Sequence, residues 1–236
     1  MNTEQTYDTH TPEEPLPPNQ GMPHAECPKL AVFGGAFDPI HLGHLSLAEA
    51  IVDAGCADEV LFVPTGAPPH KTDIELTSPE HRLAMLGEAL APHPHYSLSD
   101  IEIRRTEGYS YTIDTLAVLS RVFPEHEIFF LMGMDCLAAL HTWHRATELV
   151  QRYEFIIYPR PGVIPPSFAE LANLFGRRNA RRLLDAVVQL DVSPISATQV
   201  RESCAAGRDI ETLVPGKICG YIEKHGLYAV EERATV

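Results

Sequence analysis

The sequence predicts an α/β fold, a doubly wound (Rossmann-like) parallel sheet with helices on both faces, built as a single domain. From Lys29 onward, short apolar runs alternate with longer stretches of helical periodicity, which is the pattern of βα units that feed a parallel sheet. Several of the runs end at Gly or Pro, as strands often do where they pass into a loop. The chain has 236 residues, 44% of them hydrophobic, which is enough for one sizeable core and does not demand two.

The elements follow from the period of the apolar residues. Short runs bounded by turn residues predict strands at residues 30–33, 59–63, 99–103, 127–132, 154–158 and 187–191. Helical periodicity predicts helices at residues 44–54, 79–90, 111–122, 147–153, 168–174, 197–206 and 216–225. The alternation continues to the end of the chain without a linker or a repeat of fixed period, so we expect one folded domain over residues 29–230.

The first 28 residues differ from the rest of the chain. They are rich in Pro, Glu, Thr and Asn, contain no Lys or Arg, and show no apolar period. Such a segment cannot bury enough apolar surface to offset the entropy lost on ordering. We therefore expect residues 1–28 to form a disordered tail.

Charge and hydropathy exclude several classes of partner. The formal net charge of -14 opposes broad attraction to nucleic acid or to an anionic membrane. No window reaches the roughly 18 apolar residues of a membrane span, and the N-terminus lacks the order of a secretory signal. We expect a cytoplasmic protein whose partners are small molecules, and anionic ones remain possible because a pocket can be locally positive.

The cysteines indicate neither a disulfide framework nor a zinc cluster. There are 5 of them, an odd number, widely spaced and without a CxxC pair. We expect reduced thiols that pack as small hydrophobic groups.

The most informative segment is Phe-Gly-Gly-Ala-Phe-Asp-Pro-Ile-His-Leu-Gly-His, which runs from the first predicted strand into the first predicted helix. Gly34 and Gly35 allow close approach of the backbone to a ligand, and the helix that follows offers free N–H groups to an anion. His41 and His44 lie three residues apart, so both rings can reach the same phosphate. Taken alone, the pair is far more typical of structural histidines than of a catalytic site, and no further ligand follows at a zinc-finger spacing.

A second segment, Ile-Ser-Ala-Thr-Gln-Val-Arg, begins at Ile195. Ser196 is a good N-cap residue, and Arg201 would lie about one turn into the helix that follows. By spacing alone, this is an ordinary capped helix with an exposed arginine.

Two further segments follow predicted strands. Pro-Thr-Gly-Ala-Pro-Pro-His-Lys ends at Lys71 and reads as a proline-stiffened loop with one cation. The single Trp of the chain, Trp143, lies among polar residues rather than in an apolar run. Each feature alone is common, as a rigid loop or a half-buried surface aromatic.

Together these segments resemble the nucleotidyltransferase superfamily that carries an HxGH motif and, within it, the bacterial nicotinate mononucleotide adenylyltransferases. The resemblance extends from Lys29 to Tyr228. It implies that His41 and His44 bind the phosphates of ATP and stabilise the charge that develops in the transition state. The implied ATP site comprises Gly34, Gly35, Phe37, His41, His44, Gly133, Asp135, Ile195, Ser196, Thr198 and Arg201.

The same resemblance implies an acceptor site. Trp143 would stack on the nicotinate ring, and backbone groups near Thr112 and His144 would recognise its carboxylate. Lys71 would be a phosphate ligand and, with His41, His44 and Arg201, would complete the catalytic set. The chain departs from the family pattern at Ala197, His144 and Cys136, where Ser, Tyr and Ser are usual; the first change removes one hydroxyl from the phosphate site.

The implied reaction is transfer of the adenylyl group of ATP to nicotinate mononucleotide, which yields deamido-NAD and pyrophosphate in NAD biosynthesis. Mg²⁺ would arrive with ATP, and no protein ligand for it is assigned; Asp38 fits the role of capping the Asp-Pro turn equally well. Alternatives are nicotinamide mononucleotide as acceptor, another HxGH transferase such as a phosphopantetheine adenylyltransferase or a cytidylyltransferase, and a non-catalytic nucleotide-binding regulator. Trp143 and the Pro-Pro-His-Lys loop disfavour the second, and the intact catalytic set disfavours the third.

Overall fold

A five-stranded sheet organises the molecule, as a computed structural model describes it over residues 27–66, 76–105 and 108–229. Its strands are β1 (Lys29–Gly35), β2 (Glu59–Pro64), β3 (Tyr96–Leu98), β4 (Glu127–Gly133) and β5 (Glu154–Tyr158), in the order β3-β2-β1-β4-β5. Neighbouring strands pair in parallel. Strands β1, β2 and β3 follow one another towards one edge of the sheet, and β4 then lies on the other side of β1. The predicted doubly wound sheet is therefore confirmed, and its topological switch point lies between β1 and β4.

Helices connect the strands and complete the domain. They are α1 (Leu42–Asp53), α2 (Pro79–Leu90), α3 (Thr112–Val122), α4 (Met134–Ala139), α5 (Ala146–Arg152), α6 (Phe168–Phe175), α7 (Arg177–Asp185), α8 (Ala197–Ala205) and α9 (Gly216–His225), with a 3₁₀ turn at Leu140–Thr142. Their limits follow from capping. Ser167 and Glu170 form a reciprocal capping box at the start of α6, and Gly226, at φ 61°, ends α9 in the left-handed region.

Two apolar cores lie on opposite faces of the sheet. One includes Ile51 of α1, Met85 of α2 and Ile222 of α9, all essentially inaccessible to solvent. The other includes Leu116 of α3 and Leu149 of α5. Helices therefore cover both faces, as predicted, and the site lies at the carboxyl edge of the sheet. In the part of the chain described here, no helix has the length and apolar character that a membrane span requires.

Two predicted strands are wrong. Residues 101–103 form a turn, and the strand before them, Tyr96–Leu98, pairs with β2 only from Val60 to Phe62. The alternating apolar residues at 99–103 lie in a turn that packs against the domain, and they do not extend the hydrogen-bonded ladder of the sheet. Of residues 187–191, only Val187 makes a bridge, to Ile157 of β5, and the chain then leaves the sheet.

The sequence pattern also missed helices α4 and α7 and the 3₁₀ turn between α4 and α5. Helix α7 is rich in Arg, and its buried side chains are only Ala180 and Leu183, so its apolar signal is weak. Residues 1–26 of the predicted tail, and residue 230 at the end of the predicted domain, lie outside the described residues. Strand β1 begins at Lys29, where folded structure was predicted to start.

Candidate active site

The turn from β1 into α1 locks the two histidines of the HxGH motif together. His41 is the N-cap of α1, and its Nδ1 accepts a hydrogen bond from the backbone N–H of His44 at 3.3 Å. In return, Nδ1 of His44 accepts from the N–H of His41 at 3.3 Å. The rings stack with centroids 3.6 Å apart and planes 22° from parallel. Each imidazole is therefore both a cap and a partner of the other.

This reciprocal box fixes the protonation of both rings. Because each Nδ1 is an acceptor, the proton of each neutral ring resides on Nε2, which is left to donate. Burial, helped by the charge of Arg160, lowers the pKa of His41 to about 4. Burial, the neighbouring His41 and Arg160 also lower the pKa of His44 well below its usual value. Near neutral pH the turn thus presents two uncharged N–H donors at a helix N-terminus.

The ring of Phe37 packs against that of His44. Its ring is buried, with a centroid 4.9 Å from that of His44 and 5.4 Å from that of Phe33. Phe37 has φ 46°, a region that bulky residues rarely adopt outside functional turns. A Cβ on Gly35 would lie 3.2 Å from the Phe37 ring, so a larger residue would require a small shift of this ring. The buried side chain of Phe37 therefore packs against the His44 ring and orients it, and its predicted contact with ATP stays a prediction.

Helix α8 meets the start of α1 directly. A Cβ on Gly43 would lie 3.0 Å from the carbonyl oxygen of Ile195, which explains the glycine between the two histidines. The Ser196 hydroxyl caps α8 by accepting from the N–H of Gln199 at 3.2 Å, as predicted. The Arg201 guanidinium donates to the carbonyl oxygen of Asp38 at 2.7 Å and to the Thr198 hydroxyl at 3.2 Å. Both sequence motifs therefore meet at Asp38.

The buried side chain of Asp38 accepts hydrogen bonds that connect the same turn to other segments. Its Oδ1 accepts from the Tyr228 hydroxyl at 2.6 Å, and its Oδ2 accepts from the N–H of Thr77 at 3.1 Å. Burial and the bond to Asp38 raise the pKa of Tyr228 well above its usual range, so the hydroxyl stays protonated and donates. The Asp38 carboxylate thus ties the turn to the segment before α2 and to the chain after α9.

Arg82 of α2 secures this turn from within the core. It is 1% exposed, and its guanidinium donates to the carbonyl oxygens of Ala36, Thr65 and Thr77 at 2.9–3.0 Å. Burial lowers its pKa, which the charge of Asp38 opposes. A buried cation with these partners joins the loop after β1, the end of β2 and the start of α2.

The end of β4 contributes a third part of the site. A Cβ on Gly133 would lie 2.3 Å from an Asp135 carboxylate oxygen and 2.8 Å from Nε of Arg160, so a larger residue would displace these two side chains. Nε of Arg160 lies 3.1 Å from Asp135 Oδ1, and its Nη2 donates to the Tyr158 hydroxyl at 2.9 Å. The positive charge of Arg160 also contributes to the lowered pKa of both histidines.

A cavity of about 220 Å³ opens beside the turn from β1 into α1, residues 36–44, which we call the phosphate turn after the role predicted for it. It is lined by Gly34, Gly35, Thr65, Glu102, Ser110, Tyr111, Thr112, Phe130, Trp143 and His144, and we call it the acceptor cavity. Trp143 is half-buried against Phe130, with centroids 5.9 Å apart, and the His144 ring stacks on Tyr111 at 4.1 Å. Thr112 begins α3, whose N-cap Tyr111 makes no side-chain capping bond, so the first N–H groups of α3 have no side-chain acceptor from their N-cap residue.

A wider groove of about 460 Å³ lies elsewhere, between α1, α2 and the start of α9. None of the site residues predicted from the sequence lines it, and its walls are mostly apolar. We therefore take the acceptor cavity and the adjoining phosphate turn as the candidate site.

The predicted residues fall into two adjacent groups. His41, His44, Ser196, Thr198 and Arg201 lie around the phosphate turn. Gly133 ends the neighbouring strand β4, and Asp135 lies in the first turn of α4. The acceptor cavity contains Gly34 and Gly35 beside Thr112, Trp143 and His144. Lys71 lies outside the described residues, and Phe37 is buried.

Sequence reasoning missed Arg82, Glu102, Tyr111, Arg160 and Tyr228 as parts of the site. Arg82 had a detectable signal, because it occupies the apolar stripe of α2 with Met85, Leu86 and Ala89 at helical spacing. A charge on such a stripe needs buried partners. Glu102 had no such signal, because the pattern around it suggested a strand.

Comparisons with known proteins agree with this geometry. A family model described as cytidylyltransferase-like matches residues 32–203. A relative from Dehalococcoides mccartyi named "Probable nicotinate-nucleotide adenylyltransferase" is 39% identical over 201 residues, or 85% of this chain and 97% of the relative. One of the same name from Thermomicrobium roseum is 39% identical over 204 residues, or 86% of this chain and 93% of the relative.

Solved structures share the fold. Nicotinic acid mononucleotide adenylyltransferase from Plasmodium falciparum, complexed with NaAD, matches with a TM-score of 0.67 over 85% of this chain and 97% of that one. Its sequence identity is 20%, so this likeness concerns the fold alone.

Proposed function

The chain belongs to the cytidylyltransferase-like family, among the nicotinate-nucleotide adenylyltransferases, and from this premise we propose that it transfers the adenylyl group of ATP to nicotinate mononucleotide. The products are deamido-NAD and pyrophosphate, and the reaction belongs to NAD biosynthesis. The observation that carries the proposal is the junction of two neutral Nε2–H donors at the start of α1 with an aromatic-walled cavity that begins at Gly34 and Gly35.

The chemistry needs no protein nucleophile. An oxygen of the mononucleotide phosphate attacks the α-phosphorus of ATP in line, a new P–O bond forms, and the bond to the β-phosphate oxygen breaks to release pyrophosphate. A phosphate monoester is already ionised near neutral pH, so alignment and charge stabilisation matter more than a general base.

The phosphate turn supplies that stabilisation. His41 and His44 donate from Nε2 to the α-phosphate and leaving-group oxygens, and their lowered pKa values keep them as neutral donors of fixed tautomer. Arg201, already held by Asp38 and Thr198, has further N–H donors for the triphosphate. Gly133, Asp135 and Ile195 to Thr198 line the nucleotide, and Lys71 neutralises phosphate charge.

Mg²⁺ would arrive with ATP and would supply positive charge that offsets the charge of the phosphates. The carboxylates nearest the histidines already have partners: Asp38 accepts from Tyr228 and Thr77, and Asp135 pairs with Arg160. Within residues 27–66, 76–105 and 108–229, His, Cys, Asp and Glu side chains do not gather in threes that could hold an ion. Mg²⁺ that arrives with a nucleotide usually keeps phosphate oxygens and water as its main ligands, and we assign it no protein ligand.

The acceptor cavity favours the acid over the amide. The ring stacks on Trp143, and the uncapped N–H groups at the start of α3 donate to the carboxylate of nicotinate. A carboxylate benefits from both the hydrogen bonds and the positive end of the helix, whereas an amide brings its own N–H donors to the same place.

The test is pyrophosphate release from ATP and Mg²⁺ with nicotinate mononucleotide, nicotinamide mononucleotide and phosphopantetheine in parallel. We expect turnover with the nicotinate substrate to exceed the other two. Preference for the amide would correct the substrate, and turnover only with phosphopantetheine would refute the assignment. Folded protein that released no pyrophosphate with any acceptor would favour the regulator alternative.

A further inference from the structure

An acidic side chain, Glu102, lines the acceptor cavity. The substrate proposed for this cavity carries a carboxylate and a phosphate, both of which a glutamate repels. A half-buried carboxylate in this wall therefore requires a donor from the ligand or a purely structural explanation.

Structural contacts account for only part of its hydrogen-bonding capacity. The Thr115 hydroxyl donates to Oε1 of Glu102 at 2.8 Å, and the N–H of Gly66 also bonds to the carboxylate. An ionised carboxylate offers about four acceptor positions, so these two donors leave acceptor capacity on the cavity side. Burial raises the pKa of Glu102, while Thr115, Arg105 and Gly66 favour its ionised form.

The same contacts place Glu102 between the two ends of the cavity. Gly66 follows Thr65, whose N–H donates to the carbonyl oxygen of Gly35 at 2.8 Å, at the phosphate end. Thr115 lies one turn after Thr112 on α3, at the end where the ring binds. Glu102 bonds to both segments, so it faces the middle of a ligand that spans them.

A mononucleotide carries its ribose at that position. The ribose is neutral and presents two neighbouring hydroxyl donors, which a carboxylate accepts with charge-assisted hydrogen bonds. A second observation also indicates a polar ligand here: the hydroxyl of Ser110, in the same wall, is buried and has no hydrogen-bond partner in the described part of the chain.

We propose that Glu102 binds the 2′- and 3′-hydroxyls of the acceptor ribose, and that Thr115 and Gly66 hold it in place for that purpose. This inference rests on the proposed function and adds a specificity-determining residue to it. Glu102 also repels both charged ends of the mononucleotide, so it favours the orientation with the ring at Trp143 and the phosphate at Gly35. The residue is not a catalytic base, because the attacking phosphate is already ionised.

The experiment compares nicotinate mononucleotide with its 2′-deoxy and 3′-deoxy analogues on the wild type, Glu102→Gln and Thr115→Val. For the wild type, loss of a hydroxyl that bonds to a charged group should raise KM about 10- to 100-fold. Glu102→Gln should raise KM for the natural acceptor by a similar factor, abolish most of the deoxy penalty, and leave KM for ATP unchanged. Thr115→Val removes only the support of Glu102, so most of the penalty should remain.

A merely structural role for Glu102 predicts a different result. Glu102→Gln would then weaken all three acceptors equally and keep the wild-type deoxy penalty, which would overturn the inference while leaving the proposed function intact. If Glu102→Gln does not fold, Glu102→Asp takes its place, because it keeps the charge but withdraws it by one methylene. Its KM for each deoxy analogue is then compared with its KM for the natural acceptor in the same way. Absence of any wild-type turnover with nicotinate mononucleotide would refute the proposed function itself and this inference with it.

Discussion

The phosphate turn and the acceptor cavity adjoin each other but are built in different ways. Around the turn, buried hydrogen bonds join parts of the chain that are far apart in sequence, such as Arg201 to the carbonyl of Asp38 and Tyr228 to its carboxylate. The cavity wall depends instead on ring contacts, including Trp143 on Phe130 and an exposed His144 on Tyr111.

The difference reflects what each region must do. Charge that develops during phosphoryl transfer is stabilised by donors fixed before the reaction begins, so small displacements of the histidines are costly. A pyridine ring needs only a flat partner, and its recognition tolerates looser walls. Substitutions at the turn should therefore lower kcat, whereas substitutions in the cavity should raise KM for the acceptor.

The largest effect is expected at His44. His44→Ala removes one Nε2–H donor and one half of the reciprocal capping box, so kcat should fall about 100- to 1000-fold, while KM for the acceptor changes little. His93→Ala is the matched control, because His93 stacks on Tyr96 away from the site. The measurement is steady-state kinetics with both substrates varied. A change mainly in KM for the acceptor in His44→Ala would contradict the proposed difference between the turn and the cavity.

The next largest effect is expected at Trp143, and it tests the role of the acceptor cavity. Trp143→Ala removes the stacking surface and should raise KM for nicotinate mononucleotide about 10- to 100-fold with little change in kcat. Trp143→Phe keeps an aromatic face and should recover most of the loss. A fall in kcat of similar size in the alanine variant would show that the cavity also fixes the reacting phosphate.

The buried histidines also predict how stability depends on pH. In the unfolded chain His41 takes up a proton near its ordinary pKa of 6.5, whereas in the folded protein it does so only near 4. The unfolded state therefore binds more protons between these values, and the stability present above pH 6.5 is lost as pH falls towards 4. For His41 alone the loss is about 2 kcal/mol at about pH 5, and His44 adds to it in the same direction.

Denaturant unfolding at about pH 7.5 and about pH 5 measures this loss. His41→Asn is the matched variant, because Asn can still cap α1 but does not titrate. Its free energy of unfolding should depend less on pH than that of the wild type. Equal slopes for the two proteins would mean that the folded turn accepts a proton on His41 readily, against the view of a rigid, neutral pair.

Sequence pattern predicted most of the fold and the part of the site that lies in short motifs. Helices α2 and α9 have the predicted limits, and His41, His44 and Arg201 lie near one another around Asp38 as their two motifs implied. The family implied by resemblance is confirmed by relatives such as the one from Dehalococcoides mccartyi. The roles assigned to individual site residues remain predictions.

What the sequence did not reveal depends on contacts between distant segments. The turn at residues 101–103 has the apolar alternation of a strand, yet Glu102 bonds to Thr115 and Gly66 rather than joining the sheet ladder. Tyr228 lies 190 residues from Asp38, so no local pattern could pair them. Hydrophobic periodicity indicates which face of a helix or strand is apolar, but it does not indicate which polar groups on different elements bond to one another.

The smallest effect is expected at Tyr228, and it tests whether these distant bonds matter for catalysis. Tyr228→Phe keeps the ring but leaves Asp38 Oδ1 without its donor in a buried position, 3% exposed. A hydrogen bond to a charged group contributes about 1.5–3 kcal/mol, so the melting temperature should fall, and kcat should fall roughly 10-fold as the turn loosens. Tyr221→Phe is the matched control, because Tyr221, in α9 shortly before Tyr228, loses a bond of 2.9 Å to His81 of α2 but does not reach Asp38. The control should lose stability without losing kcat. If Tyr228→Phe also kept full kcat while its melting temperature fell, the bond to Asp38 would serve the fold alone, and the rigidity of the turn would depend on Arg82 and Arg201.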